Sequence, residues 1–567
     1  MALRWLRAGV NAPLLLAALA GLLFLALDGS PAMLRVTTMA GISALLAIGY
    51  GLIFGHAGAL SLCQATFFGI GAYVSGALSA FHGWSYLATV PPSLLAASLL
   101  AVLVAVPTLR LGAHAFALAT LAVSQAAVLI AVQWAGVTGG ADGIAGVPPP
   151  DLLGWAVPRG WPALILVWSL VAAGAAAAAW FTAGRRGQAL ALLRANPLAL
   201  GPLGIDQRRL QGAAFLLSAA LAALAGTLQP HLVRVVSPGV LDFPVMVACL
   251  TMTVVGGRLR PAGAILGALL LTWLPEWLRG FDQWYLFAYG AALLLAIVAA
   301  PDGILGALEA ARRRLRPEPP PPLPAMTPLP PGAAQPAGLR VAGVTRSFGG
   351  MRALDGVTFA APPGITGVIG PNGSGKTTLL NVISGIVRPD GGSVRLDGVD
   401  LAALPAHRVA RTGVARTFQT PVLIDDATVL DNIRVAGVTA GQALFCLASM
   451  GLAAQAARRA GSLPQGTRRL VEIARALARR PRLLLLDEPA AGLTQAEQAR
   501  LAVRLAALAQ TGLSLLIVEH AMPFLMPLAT HMVCLDQGRV IAEGTPDAVR
   551  SNPLVLDAYL GRPGRAA

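Results

Sequence analysis

The sequence predicts a polytopic α-helical membrane domain followed by an α/β P-loop domain, and three observations carry this prediction. Of the 567 residues, 56% are apolar and only 12% are charged. Long charge-free stretches fill the chain up to about residue 300, whereas Arg, Asp and Glu are frequent afterwards. A glycine-rich phosphate-binding motif lies in this second part. Much of the chain must therefore lie in lipid, which excludes an ordinary soluble enzyme.

The membrane domain is predicted from apolar stretches of bilayer-spanning length, of which there are about ten. They cover residues 11–28, 36–54, 58–80, 86–107, 115–135, 162–182, 211–230, 243–257, 262–279 and 284–300. The first stretch follows two arginines and also fits a cleaved signal peptide, which would leave about nine spans.

The positions of the basic residues predict the orientation, because Lys and Arg concentrate in cytoplasmic loops. Arg4 and Arg7 precede the first span, residues 185–209 are rich in Arg, and residues 312–316 follow the last span. Six and then four predicted spans separate these segments, so all three are expected on the cytoplasmic side, whereas Asp142 and Asp151 fall outside. We therefore expect a multi-pass protein whose N-terminus and P-loop domain are cytoplasmic.

The net charge of +16 raises the question of a nucleic-acid partner. The arginines, however, lie in short loops beside apolar segments, as membrane orientation signals do. Membrane lipid is therefore an expected partner, and nucleic acid is not.

A proline-rich segment separates the two domains. Residues 316–337 read RPEPPPPLPAMTPLPPGAAQPA, which disfavours helix and sheet and favours extended polyproline II. We interpret this segment as a semi-rigid spacer, and a ligand for an SH3-type domain is the alternative. The expected division of the chain is a membrane domain, a linker, a nucleotide-binding domain and a tail, at residues 1–310, 311–337, 338–561 and 562–567.

The motif GPNGSGKTT is the strongest signal in the chain. It follows the apolar run ITGVI and opens the run LLNVISGIV, so a strand, a loop and a helix are all predicted. In such a loop the backbone N–H groups wrap phosphate oxygens at a helix N-terminus. Lys376, the only lysine of the chain, supplies a positive charge to the phosphates, and the Thr377 hydroxyl suits magnesium. The predicted ATP-binding residues of the motif are Gly370, Pro371, Asn372, Gly373, Ser374, Gly375, Lys376, Thr377 and Thr378.

Two further apolar runs end in residues suited to catalysis. The run LLLLDEPAAGL places Asp487 and Glu488 at the edge of a sheet beside the phosphates. Asp487 is expected to hold magnesium, and Glu488 to orient or deprotonate the attacking water. An acidic turn after an ordinary strand is the alternative. The run LSLLIVEH ends in His520, which is suited to contact the γ-phosphate.

Over about residues 338–561 these motifs, in this order, resemble the ABC ATPases, and specifically those of branched-chain amino-acid importers. The ending AEGTPDAVRSNPLVLDAYLG resembles this subfamily in particular. The resemblance implies that Phe348 stacks on adenine, that Gln419 in ARTFQ is the Q-loop residue near magnesium, and that His520 is the switch histidine. Without the family, an isolated Phe is more often part of a core, and a loop Gln is more often solvated.

The chain departs from this family at its signature. Where the family has an LSGGQ-like motif, this chain has Leu463, Pro464, Gln465, Gly466 and Thr467. In the family this segment caps the ATP held by the opposite ATPase domain, with backbone N–H groups and a Ser hydroxyl. Proline donates no hydrogen bond, so the resemblance implies a weakened partner site. Thr494 also replaces the usual Asn or Asp of the D-loop, and the stretch between Gln419 and Leu463 looks short for the family.

The membrane half resembles, across about residues 30–308, the permease subunits of the same importers. The resemblance is carried by GHAGALSLCQATFFGIGAY (55–73), TGGADGIAGVP (138–148), LGIDQRRLQGAAFLLSAALAALAGTL (203–228) and PDGILGAL (301–308). The first block departs from the family at Ala59, Cys63 and Gln64. Its glycines are interpreted as helix-packing positions. Glu276, between Trp273 and Trp277, is interpreted as part of an interfacial anchor, with a substrate site as the alternative.

The run RANPLALGPLGI resembles the coupling helix of the family, which docks on an ATPase domain. Asn196 suits an N-cap and Pro197 the first helical position, while Gly201 and Pro202 shorten the helix. A plain surface loop is the alternative. The predicted coupling residues are Asn196, Pro197, Leu198, Ala199 and Leu200.

The resemblance implies ATP-driven import of branched-chain or other hydrophobic amino acids across a bacterial cytoplasmic (inner) membrane, with ATP and Mg²⁺ as cofactors. The implied partners are a second permease, a second ABC ATPase and an extracytoplasmic solute-binding protein. An importer of urea, amides or another small polar solute is the first alternative.

Two other classes of function remain. An exporter or flippase half-transporter also fuses a permease to an ATPase, but that family pattern has about six long spans rather than about ten with short loops. A subunit that binds nucleotide without hydrolysis is favoured by Pro464 and opposed by Lys376, Asp487 and Glu488.

Overall fold

A computed structural model describes residues 29–278, 302–315, 323–329 and 338–560, together with 287, 290–291, 294–295 and 298–300. The chain divides into two compact units. The first comprises Met1–Leu190 and Arg208–Pro319, and the second comprises Ala191–Gln207 and Pro320–Ala567. The predicted span 11–28 lies outside the described residues, and most of the span 284–300 does too.

The first unit is helical. Its helices are α1 (Pro31–Tyr50), α2 (Gln64–His82), α3 (Tyr86–Thr108), α4 (Ala113–Gln133), α5 (Ala135–Thr138), α6 (Trp161–Phe181), α7 (Gly184–Ala195), α8 (Gln207–Val233), α9 (Phe243–Gly256), α10 (Pro261–Leu278) and α11 (Gly303–Leu315). The last five residues of α7 and the first residue of α8 fall in the second unit. A π-helix, Gly51–His56, continues α1. Two short antiparallel pairs join β1 (Ile144–Ala145) to β4 (Val235–Val236) and β2 (Asp151–Leu152) to β3 (Trp155–Ala156).

Six helical stretches of the described chain are long and apolar enough to cross a membrane. They are Pro31–His56, Tyr86–Thr108, Ala113–Gln133, Trp161–Phe181, Gln207–Val233 and Pro261–Leu278. Each overlaps one of the predicted spans. Of the remaining predictions, α9 covers 243–257 with 14 residues, which is short for a span. Helix α2 covers most of 58–80 but is not among the six stretches. Its glycines, serines and polar end residues make it less apolar than the six.

Helices α2 and α8 approach each other at two glycines. A Cβ added to Gly71 would lie 2.1 Å from the Ala223 carbonyl oxygen, and one added to Gly226 would lie 1.9 Å from that of Phe68. Small residues let membrane helices pack this closely. The geometry therefore agrees with the packing interpretation of the glycines in residues 55–73.

Gln64, at the start of α2, is fully buried where this block departs from the family pattern. Its Nε2 donates to the Ser218 carbonyl at 3.3 Å and to the Leu46 carbonyl at 3.5 Å. Its Oε1 accepts from the Ser218 hydroxyl at 3.0 Å. A buried amide must be satisfied in this way, and here it ties α2 to α1 and α8.

The C-terminal end of α10 carries the predicted anchor. Trp273 is buried and Trp277 is exposed, and their rings stack 6.2 Å apart. The interpretation of Glu276 as part of an interfacial anchor stays a prediction.

The second unit contains two sheets. Its strands are β5 (Leu339–Phe348), β6 (Met351–Ala361), β7 (Ile365–Ile369), β8 (Gly391–Leu396), β9 (Val399–Asp400), β10 (Val414–Arg416), β11 (Leu483–Asp487), β12 (Ser514–Val518), β13 (His531–Asp536) and β14 (Arg539–Gly544). The four-stranded sheet, in the order β6-β5-β8-β9, is antiparallel. The six-stranded sheet has the order β10-β11-β12-β7-β13-β14 and is parallel except for the pair β13–β14.

The helices of this unit are α12 (Lys376–Ile383), α13 (Ala406–Val409), α14 (Val429–Arg434), α15 (Ala440–Ser449), α16 (Gln465–Leu477), α17 (Gln495–Gln510), α18 (Met522–Leu525), α19 (Pro546–Arg550) and α20 (Pro553–Leu560). The core between the two sheets and α12 is aliphatic, with Leu379, Leu485 and Leu516 fully buried. Because β7, β11 and β12 are parallel neighbours, their carboxyl ends and the residues after them meet at one edge.

Helix α11 ends at Leu315, so its last turn lies within the predicted linker 311–337. Residues 323–329 have no regular secondary structure. Within this segment the Thr327 amide donates to the Gly441 carbonyl in α15 at 3.1 Å.

Candidate functional site

The phosphate-binding motif forms the turn between β7 and α12. Its glycines Gly370, Gly373 and Gly375 have φ of +149°, +80° and +101°. Such conformations strain any residue with a Cβ. A Cβ on Gly370 would also lie 2.0 Å from the Leu535 carbonyl oxygen. The loop therefore needs glycine at these positions, and it ends at the N-terminus of α12, where anions bind.

Lys376, the first residue of α12, is folded against this loop. Its Nζ donates to the carbonyls of Gly370 at 2.9 Å and Pro371 at 2.7 Å, and to the Ser374 hydroxyl at 3.3 Å. Burial lowers the pKa of Lys376, while the carboxylates of Glu488 and Asp487 act in the opposite direction. Asn372 lies in the same loop, and Thr377 and Thr378 lie in the first turn of α12.

Asp487 closes β11 and is 2% exposed. Its Oδ2 pairs with the Arg416 guanidinium at 3.2 Å. Arg416 also donates to Asn381 Oδ1 at 2.7 Å and Ser384 Oγ at 2.9 Å, both at the end of α12. Burial raises the pKa of Asp487, and the Arg416 charge opposes that shift. One buried network thus connects Asp487 to the helix that opens at Lys376.

Glu488 stands between the other two predicted catalytic residues. Its Oε2 accepts from Gln419 Nε2 at 2.9 Å, and its Oε1 accepts from His520 Nε2, also at 2.9 Å. The backbone of Glu488 has φ +47°, a conformation that non-glycine residues rarely adopt. Its amide donates to the Val518 carbonyl at 2.9 Å, which holds this turn at the edge of the sheet. The structure therefore brings Gln419, Glu488 and His520 into one hydrogen-bonded cluster.

Phe348, at the end of β5, is 43% exposed. The Arg346 guanidinium lies 4.8 Å from its ring centroid. Arg346 is itself held by Asp390 at 2.6 Å. The core position that an isolated Phe usually takes is therefore wrong for Phe348, and its stacking on adenine stays a prediction.

The signature segment Leu463–Thr467 precedes and opens α16. Pro464 is the N-cap residue, with no side-chain hydrogen bond to the helix, and Pro464 and Gln465 are exposed. Leu463 is buried, and a Cβ on Gly466 would lie 2.5 Å from the Leu493 side chain. The first N–H groups of a helix have no partner within it, so they remain available to a ligand.

Thr494, the D-loop position, caps α17. Its hydroxyl accepts from the Glu497 amide, and the Glu497 carboxylate accepts from the Thr494 amide at 2.9 Å. This reciprocal pair is a capping box, which a threonine forms better than most residues.

The predicted coupling residues begin a pair of 3₁₀ turns, Pro197–Ala199 and Gly201–Leu203, in place of an α-helix. Asn196 is the N-cap, and its Oδ1 accepts from the Leu198 amide at 3.0 Å. Leu198 is exposed, whereas Ala199 and Leu200 are buried. The helix is interrupted because Pro202 has no N–H to continue the first turn.

This segment packs within the second unit. A Cβ on Gly201 would lie 2.6 Å from the Ala406 Cβ, and the Arg411 guanidinium donates to the Gly204 carbonyl at 3.5 Å. Asp206 lies 3.7 Å from His407. The burial of Ala199 and Leu200 disagrees with a plain surface loop, and the coupling role of the segment stays a prediction.

Sequence reasoning missed three charged residues of the site. Arg416 binds Asp487, as described above. Glu519 is buried and accepts from the Ala490 amide at 2.6 Å and the His520 amide at 3.0 Å, and burial raises its pKa. Arg469, in α16, donates to the carbonyls of Phe418 and Gln419. For Arg416 and Glu519 a signal was available, because each is a charged residue inside or beside an apolar strand, in VAR (414–416) and IVEH (517–520).

Comparison with known families gives matches in both units. The family described as the branched-chain amino acid transport system permease component matches residues 32–300. The ABC transporter family matches residues 354–491, and the family described as branched-chain amino acid ATP-binding cassette transporter matches residues 539–564.

Individual proteins match the second unit. The high-affinity branched-chain amino acid transport ATP-binding protein BraF of Pseudomonas aeruginosa is 39% identical, over 39% of this chain and 97% of its own length. The corresponding LivG of Escherichia coli (strain K12) is 37% identical over the same shares. A crystal structure of a nucleotide-free ATP-binding cassette from an ABC transporter is 31% identical, with 40% of this chain and 99% of that chain covered and a TM-score of 0.37.

The family matches lie in the order in which the two units follow each other along the chain. The chain therefore belongs to the branched-chain amino-acid ABC transporter family, and it carries the permease and the ATP-binding components in one polypeptide.

Proposed function

We propose that this chain drives the import of branched-chain or other hydrophobic amino acids across the cytoplasmic membrane by hydrolysing ATP. The observation that carries the proposal is the cluster at Glu488, which Gln419 and His520 hold at the sheet edge that also bears Asp487. A carboxylate fixed in this way suits proton transfer from an attacking water.

ATP binds along the loop 370–378 and on Phe348 in this proposal. The backbone N–H groups at the start of α12 and the Lys376 ammonium take the phosphates. The exposed ring of Phe348 takes the adenine on the face that Arg346 leaves open.

The donor set fits magnesium. Among the described residues no three His, Cys, Asp or Glu side chains are grouped as a metal site, so the protein offers few ligands of its own. Mg²⁺ is commonly held by one or two carboxylates together with substrate phosphates and water. Thr377, Asp487 and Gln419 would hold the ion. When bound, Mg²⁺ neutralises the charge that develops on the phosphates.

In this proposal each residue of the site has its own role in hydrolysis. Glu488 orients the water and accepts its proton, and Gln419 and His520 fix the direction of that carboxylate. Lys376 balances the negative charge of the transferred group. The Arg416 charge opposes the desolvation that raises the pKa of Asp487, and so favours the ionised form of this carboxyl.

Transport requires partners that supply the other half of the complex. We propose a second permease and a second ABC ATPase, whose signature would close this chain's ATP site while Leu463–Thr467 serves the partner's site. An extracytoplasmic solute-binding protein would deliver the amino acid. The segment Asn196–Leu200 would transmit closure, because the adjoining turn Gly201–Leu203 packs against α13.

The domain arrangement in this proposal is a permease over 1–310, a linker over 311–337, an ATPase over 338–561 and a tail over 562–567. The permease has about ten spans, with the N-terminus and the ATPase in the cytoplasm.

The test is leucine uptake into vesicles that hold the full chain, its partner permease and ATPase, and the binding protein. Glu488→Gln removes the proton acceptor, so ATP-dependent uptake should fall by about 100-fold or more. Asp426→Asn, a neutralised carboxylate on an exposed loop, is the matched control and should transport normally.

Uptake of leucine that survives Glu488→Gln would contradict the proposed catalytic role. Hydrolysis of ATP without leucine uptake would keep the transporter and reopen the choice of substrate.

A further inference from the structure

Arg469 connects the signature helix to the Q-loop. It lies in the second turn of α16 and is 3% exposed. One terminal nitrogen donates to the Phe418 carbonyl and the other to the Gln419 carbonyl. A guanidinium is a rigid planar fork, so two bonds to successive carbonyls fix the direction of the backbone at Gln419.

Glu472 lies one turn further along α16 and is 1% exposed. Its carboxylate is 3.6 Å from Arg469 and 3.7 Å from Arg475, and it accepts from the Val422 amide at 3.4 Å. Two parts of the loop backbone are thus held by charged residues of α16. Arg469 binds the carbonyls of residues 418 and 419, and Glu472 binds the amide of residue 422. A buried ion pair of this kind adds little net stability but specifies one arrangement.

The opposite side of the loop is also fixed. The Arg416 guanidinium lies 5.3 Å from the Phe418 ring centroid and binds Asp487. The Thr417 amide donates to the Leu485 carbonyl of β11 at 3.0 Å. The backbone at Gln419 is therefore held between the sheet and α16. From this position the Gln419 Nε2 donates to Glu488 Oε2 at 2.9 Å.

We propose that Arg469 is a positioning residue for ATP hydrolysis, and that with Glu472 it ties the helix carrying the signature segment to the backbone of Gln419. The inference rests on the proposed function, because it assigns Arg469 a role through Gln419 and Glu488. It means that a displacement of the signature segment, which faces the partner's ATP, is passed to the catalytic cluster at this chain's own ATP. The two ATP sites of the complex are then linked through one side chain.

The test compares Arg469→Lys with wild type in the full chain reconstituted with its partners. Lysine keeps the charge but makes no fork, so kcat for ATP hydrolysis should fall about tenfold while KM for ATP changes less than about twofold. Arg500→Lys, at an exposed arginine of α17, is the matched control and should behave as wild type.

A second measurement does not depend on hydrolysis. Amide hydrogen exchange over residues 417–424 should be about tenfold faster in Arg469→Lys, whereas exchange over β7 stays at the wild-type rate. If β7 also exchanges faster, the variant has lost its fold, and Glu472→Gln, which is isosteric, takes its place with the same expected pattern.

A wild-type exchange rate over 417–424 in either folded variant, with kcat unchanged, would overturn the proposal. If the proposed function is wrong, the result differs: the wild-type complex does not hydrolyse ATP at all. Exchange over the loop then decides alone whether Arg469 holds the Gln419 backbone.

Discussion

In the proposed mechanism the chain presents two surfaces to nucleotide, the P-loop with its catalytic cluster and the signature segment Leu463–Thr467, and the two are built differently. At the first, the Lys376 ammonium makes three hydrogen bonds, and both oxygens of Glu488 have a partner. At the second, Pro464 offers neither an N–H nor a hydroxyl, and only the backbone at the start of α16 remains. The chain's own site depends on side chains, and the site that it shares with a partner depends on a helix terminus.

This contrast predicts unequal ATP sites in the assembled complex. The site with this chain's P-loop would carry out most of the hydrolysis, and the site closed by Leu463–Thr467 would turn over more slowly. A hydrogen bond to a charged group contributes about 1.5–3 kcal/mol. The loss of one hydroxyl is therefore enough to make the rates of ATP hydrolysis at the two sites differ by about tenfold or more.

The largest effect is expected at the stronger surface. Lys376→Arg keeps the charge, but a guanidinium is larger and planar, and it cannot make the three bonds of the Nζ within the loop. ATP binding should weaken about 100-fold, which corresponds to about 2.7 kcal/mol. Titration with a fluorescent ATP analogue measures the change.

The control for this prediction is Arg388→Lys, since Arg388 is exposed and lies outside the loop. Equal binding by Lys376→Arg and wild type would mean that any cation suffices at this position, and the contrast between the two surfaces would lose its main support.

Rebuilding the weaker surface should raise activity. Pro464→Ser introduces the hydroxyl that the family uses and also a preferred N-cap residue, which stabilises a helix by about 1 kcal/mol. ATP turnover of the complex at saturating ATP should increase about twofold, because the slower site approaches the faster one.

Pro464→Ala separates the two contributions, since it removes the proline without adding a hydroxyl. Turnover that rises equally in both variants would trace the deficit to the backbone at residue 464 rather than to the missing hydroxyl.

The smallest effect is expected at Thr494, which follows Glu488 by six positions in the chain. Thr494→Ala removes the capping box with Glu497 and should lower the free energy of unfolding by about 1 kcal/mol, or a few degrees in melting temperature. ATP turnover should not change. Thr511→Ala, an exposed hydroxyl at the other end of α17, is the matched control.

If Thr494→Ala lowers ATP turnover at an unchanged melting temperature, Thr494 acts at the ATP site. Its role would then be functional, like that of the catalytic cluster, and not only structural.

The sequence was informative where a function depends on adjacent residues. The loop 370–378 and the pair Asp487–Glu488 follow from local patterns, because the strand, the turn and the helix are each specified within a few positions. Six of the predicted spans coincide with long apolar helices for the same reason, since lipid imposes apolar runs of a known length.

Other features needed the folded chain. The bond from Gln419 to Glu488 joins residues that are 69 positions apart, and no periodicity carries that information. Arg469 was missed because an arginine in an amphipathic helix is usually solvated, and only the fold turns it towards the Q-loop. The 3₁₀ turns after Asn196 differ from the predicted helix because one proline outweighed a favourable N-cap.

Residues 191–207 belong to the ATPase unit although they lie between two parts of the permease in the sequence. In terms of connectivity, the polypeptide enters the ATPase unit twice, first at Ala191 and again at Pro320. A gene or a protease that divided the chain within the proline-rich linker would separate the sequence into two products but not into the two folded units, because the permease product would keep a piece of the other unit.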